Sequence, residues 1–150
     1  MPNMVDNMVI ICGPYKRLAE LEIAAMEHEL LQTIKPLSKS SLETAIKTWG
    51  TKWDVQDTSP TLHHDGGEYD EDRWSLELQF ESPWMPPIGA YEILLEEGLT
   101  VAAHFMDTSG QDYGGSFIDG ELKTYTLDKL PENIIRMFQN YDHDRLMQVA

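Results

Sequence analysis

Cysteine is almost missing from this sequence: Cys12 is the only one in 150 residues. A single thiol forbids an internal disulfide framework and excludes a multi-cysteine zinc site, so packing alone must hold the core. Cys12 ends the apolar run Met8-Val9-Ile10-Ile11-Cys12, where it is expected to act as a small buried hydrophobe. Long apolar runs are missing too. Nothing approaches the roughly 18 consecutive apolar residues that a membrane span requires. The opening Met1-Pro2-Asn3-Met4-Val5-Asp6 lacks the basic stretch of a signal peptide. The expectation is a soluble protein of a reducing cytoplasm.

Basic residues are also scarce. Eleven Lys and Arg stand against 26 Asp and Glu, a formal net charge of −15 with a pI of about 4.5. That balance argues against direct binding to nucleic acid or to an anionic membrane, both of which need a basic footprint. The imbalance is regional. Between Trp53 and Leu122 lie sixteen of the acids but only one base, Arg73, while the rest of the chain carries ten of each sign. Its densest part, His63-His64-Asp65-Gly66-Gly67-Glu68-Tyr69-Asp70-Glu71-Asp72, cannot bury itself and reads as a solvated hairpin tip.

What is present is ordinary globular material: 41% apolar and 9% aromatic residues, enough for one domain with a core of its own. The expected domain is residues 1–141, with a frayed tail from Asp142 to Ala150. Asn7 to Cys12 reads as a strand, stopped by Gly13-Pro14. Lys16 to Ile34 has helical periodicity through Leu18, Leu21, Ala25 and Leu31, and Pro36 ends it. Ser40 and Glu43 have capping-box spacing for a second helix through Ala45 and Trp49, closed by Gly50. Lys52 to Val55 can form a strand. Trp74, Leu76, Leu78 and Phe80 alternate with polar residues, the signature of a half-buried strand. Pro86 or Pro87 opens a helix with Ile88, Tyr91 and Leu95 on its buried stripe. Strands then follow at 99–106, 116–119 and 122–127, and Pro131 opens a last helix through Ile134, Ile135 and Phe138. This order predicts an α+β fold: an antiparallel sheet with helices on one face, a ferredoxin-like β-α-β-β-α-β core, an extra short helix and extra C-terminal strands.

Three blocks carry a family likeness: Met1-Pro2-Asn3 with Asn7 and Val9 before Gly13-Pro14; Trp49-Gly50-Thr51-Lys52-Trp53-Asp54; and Phe80-Glu81-Ser82-Pro83-Trp84-Met85-Pro86-Pro87-Ile88. Together they resemble the YubB-like ferredoxin-like-domain family of phages and conjugative plasmids, over most of residues 1–120. The resemblance implies the fold and a mobile-element origin. It brings no activity and no functional residues.

No catalytic motif stands out. His63 and His64 are adjacent, so on an extended chain they point to opposite faces and do not converge on a metal. No serine occupies a nucleophile elbow, and Gly114-Gly115 lacks the lysine of a phosphate cradle. The expectation is a non-enzyme without metal or cofactor. Glu77 and Glu81 share one side of their strand, and with Asp65, Glu68, Asp70, Glu71 and Asp72 they would form an array of carboxylates. Such an array presents to a basic groove what a nucleic-acid backbone presents. The expected partner is a host protein with a basic nucleic-acid-binding surface, such as a restriction enzyme, CRISPR effector or nuclease, which the chain would inhibit. The alternative is a regulatory or small-ligand module whose pocket is lined by Trp53, Trp84 and Tyr91. A homodimer is compatible with either.

Overall fold

A computed structural model describes residues 4–38, 41–64, 74–107 and 113–138. Six strands, all paired antiparallel, form one sheet: β1 (Met4–Gly13), β2 (Gln56–His64), β3 (Trp74–Pro83), β4 (Thr100–Asp107), β5 (Tyr113–Ile118) and β6 (Glu121–Thr126). Their order across the sheet is β2-β3-β1-β4-β5-β6. The protein is therefore α+β. Of the expected hairpin tip, 63–72, His63 and His64 belong to β2 and 65–72 lie outside the described residues, as does the expected tail, 142–150.

Alternation divides the sheet into two unequal faces. Val9 and Ile11 of β1 pair with Leu78 and Leu76 of β3 and with Ala103 and Val101 of β4, and Phe117 of β5 continues the row beside Ala103. These side chains are buried beneath α1 (Tyr15–Met26), α2 (Leu30–Ile34), α3 (Leu42–Trp49) and α4 (Ile88–Glu96). Removing a side chain such as Leu78 or Phe80 from water is worth about 1.5–3 kcal/mol, so this face supplies most of the cohesion.

The other face carries a smaller cluster of Met106, Leu130, Ile134 and Phe138, with Met8 and Tyr125 packed on it. A helix over residues 132–138, α5, contributes Ile134 and Phe138. Helices on one face was thus too simple. The apolar Met8 and Met106 point away from α1 and α4, and α5 covers them. Cys12 lies on this second face and is partly exposed, not buried, because its alternate neighbour Ile11 takes the core side.

Four local readings shift. The long helix expected over 16–34 breaks after Met26. His28 adopts φ 61°, the N–H of Glu29 donates to Ala24 O and that of His28 to Ala25 O, closing α1 with the six-to-one and five-to-two bonds of a left-handed cap. The cap of α3 is Ser41, one residue later than expected; its Oγ accepts from Thr44 N at 3.2 Å. Ser40 lies outside the described residues. Gly50 closes α3 at φ 87°, as its position suggested. The expected strand at 52–55 is absent; β2 begins at Gln56, because residues 51–54 make tertiary contacts instead. Buried positions on α4 are Ala90, Tyr91 and Leu94, so the stripe is turned by one residue from the expected Leu95.

Candidate functional site

The two tryptophan blocks of the sequence interlock. Thr51 Oγ1 donates to Pro83 O at 2.8 Å. Lys52 holds its ammonium 3.1 Å from the centroid of the Trp84 ring, a cation–π contact. Gly89, at the start of α4, lies so close to the carbonyl of Thr48 that a Cβ there would collide with backbone. The Trp84 backbone is itself unusual, at φ 70° in the left-handed region that bulky residues avoid. Hydrogen bonds hold it there: Tyr113 Oη donates to Trp84 O at 2.9 Å, and Ser82 Oγ donates to Met85 O at 2.7 Å while accepting from Asn7 Nδ2 at 2.9 Å. The result is a rigid strand end that presents an indole, 42% exposed, to solvent.

Asp54 ends the first block and works at a distance. Its Oδ1 accepts from Leu31 N and Val55 N, both at 2.9 Å, and its Oδ2 from Gln32 N at 3.1 Å. The carboxylate thereby caps the first turn of α2, whose own preceding residue, Glu29, offers no side-chain cap. Burial pushes the Asp54 pKa up, the three N–H donors pull it down, and the charge of Glu29 adds to the rise.

Beside these residues opens a cleft of about 620 Å³, within the range of small-molecule and side-chain pockets. Leu37, Leu42, Ala45, Trp49 and Trp53 form its apolar lining; His28, Glu29, Asp54 and Lys52 are among its polar groups. Trp49 Nε1 donates to Lys35 O at 2.9 Å, fixing one wall. The expected three-residue pocket is not this cleft. Trp53, 38% exposed, lines it, but Trp84 and Tyr91 do not. Tyr91 is buried against Phe117, ring centroids 5.7 Å apart, and its hydroxyl has no hydrogen-bond partner among the described residues; burial raises its pKa well above 10. Gly, Pro or motif signals could not have located this cleft, since its rim begins at the left-handed His28.

The expected carboxylate array is only partly visible. Asp65, Glu68, Asp70, Glu71 and Asp72 lie outside the described residues. Glu77 and Glu81 do share the second face of β3, half-buried, and Glu77 lies 3.5 Å from His63 Nε2. Of the other acids between Trp53 and Leu122, Asp107 is fully buried and Asp54 is turned inward. A group that sequence spacing did not single out lies elsewhere. Glu92 and Glu96 of α4 and Glu97 just after it are exposed, and the turn holding Asp119 and Glu121 comes against Leu95 at Gly120. Arg17 of α1 reaches this edge and is held by Glu97 at 2.8 Å and Glu20 at 3.1 Å. Among the described residues, no group of three or more His, Cys, Asp or Glu is arranged to hold a metal ion, and no helix is long and apolar enough to cross a membrane.

No protein-family model, curated protein or solved structure matches the chain.

Proposed function

We propose that this protein is an acidic, non-enzymatic binding module that occupies the nucleic-acid-binding surface of a basic protein. The observation that carries the reading is the outward carboxylates Glu92 and Glu96 of α4 with Asp119 and Glu121 of the β5–β6 turn, none of which makes an ion pair among the described residues. In a stretch with sixteen acids and one base, that leaves charge uncompensated on a rigid surface. A basic groove gains from such a surface as it does from phosphates, by releasing counterions and by steered encounter. The sheet order β2-β3-β1-β4, with helices after β1 and β3, further supports reading the first four strands as a ferredoxin-like core extended by β5 and β6. The resemblance to phage and plasmid proteins makes nucleic-acid-binding defence proteins the first targets to test.

The test is capture of a partner from host lysate on the tagged protein, eluted in salt steps with and without duplex DNA. The expected outcome is a nucleic-acid-binding protein released by both. Against that partner, reversing Glu92, Glu96 and Glu121 to lysine should cut the association rate about tenfold at low salt, as should reversing Asp70, Glu71 and Asp72. Association rates unmoved by either triple reversal would overturn the proposal.

A further inference from the structure

Charge and aromatic character meet in the cleft beside α2. Trp53 offers it an exposed indole to which no described residue contributes a ring or cation partner. Glu29 lines the same cleft and makes no ion pair among the described residues. Asp54 uses three of the roughly four acceptor positions a carboxylate has, leaving one free on Oδ2. The charge of the exposed Glu29 acts on the partly buried Asp54 as a like-charge repulsion, which adds to the rise of its pKa. The lysine of the lining does not relieve this: the Lys52 ammonium stacks on Trp84 and bridges to neither acid. His28 is the remaining titratable group of the lining.

An indole wall beside one carboxylate without an ion-pair partner among the described residues, Glu29, and a second with an acceptor position to spare, Asp54, is complementary to a planar cation. We propose that the cleft accepts an arginine side chain of the partner, its guanidinium stacked on Trp53 and hydrogen-bonded to Glu29 and to the open position of Asp54. Arginine fits better than lysine because its planar fork both stacks on an aromatic face and donates to two carboxylates at once. This assignment rests on the reading that the partner is a basic protein, and it adds to long-range charge a specific anchor of the kind that dominates interface energetics.

The experiment uses the intact protein labelled with ¹⁵N and titrated with N-acetyl-arginine methylamide, followed by amide chemical shifts. The neutral citrulline analogue, nearly the same in shape, is the comparison. Saturable shifts confined to residues 28–32 and 42–54, and absent with citrulline, are expected. Trp53→Ala and Glu29→Gln should each weaken binding at least fivefold, whereas Trp53→Phe should keep most of it. Equal shifts with citrulline, or shifts centred on α4 and the β5–β6 turn, would sink the assignment. The two readings fail separately. An arginine probe that misses the cleft leaves salt- and DNA-sensitive partner capture standing, and a cleft that binds arginine stands even if no basic partner is captured.

Discussion

His104 shows how a single side chain reports on its surroundings. It lies on the second face of the sheet, across from Met8 on β1 and Ser116 on β5. Half-burial there disfavours the charged imidazole and lowers its pKa below 6.5. In the unfolded chain the ring takes up its proton first as pH falls. The stability that His104 contributes is therefore complete above pH 6.5 and lost as pH drops through the lower folded value. Asp54 runs the other way: its raised pKa means that lowering pH through the folded value recovers stability that ionisation costs at neutral pH. The two must be separated by comparing variants. In urea unfolding, the midpoint of the wild type should fall more between pH 7.5 and 5.5 than that of His104→Gln; equal falls would remove His104 as the cause. Nothing in the spacing of Ala102, Ala103 and His104 reveals this, because burial of a strand residue depends on which face α5 covers.

At the scale of elements, α3 and α4 come closest at a glycine, Gly89, which lies against the backbone of Thr48 and Trp49. Gly89→Ala would drive a methyl group into the backbone of Thr48 and Trp49, which cannot rotate aside as a side chain can. Separating the helices should cost about 1–3 kcal/mol, read as a lower urea midpoint with an unchanged slope. A neutral result would mean that α3 can shift freely, and the cleft it borders would then lack a fixed wall. Element starts and stops with a dedicated residue type were legible in the sequence: Gly50 in its left-handed cap, Pro87 before α4, and the buried alternation of Leu76, Leu78 and Phe80. The α1–α2 break was not, since histidine rather than glycine or asparagine holds the left-handed position. Nor was the absence of a strand at 52–55. Local propensity there yields to Asp54 capping a helix 22 or 23 residues away in sequence.

For the whole molecule, a net charge of −15 on one domain is a destabilising self-repulsion as well as a steering field. Salt shortens the screening length from about 30 Å at 0.01 M to about 8 Å at 0.15 M. The melting temperature should therefore rise by several degrees over that range. A fall would mean that favourable pairs such as Arg17 with Glu97 and Glu20 outweigh the repulsion. The sequence by itself determined the sign, size and regional concentration of the charge, the lack of covalent staples, and the period of most elements. Each of these is a property of composition or of near neighbours along the chain. Only the tertiary structure decided which acids are spent as caps and buried groups, which stand outward on α4, and that Glu29, Trp53 and Asp54 share one cleft. Those outcomes depend on contacts between residues far apart in sequence, and no local pattern encodes where such contacts bring a side chain to rest.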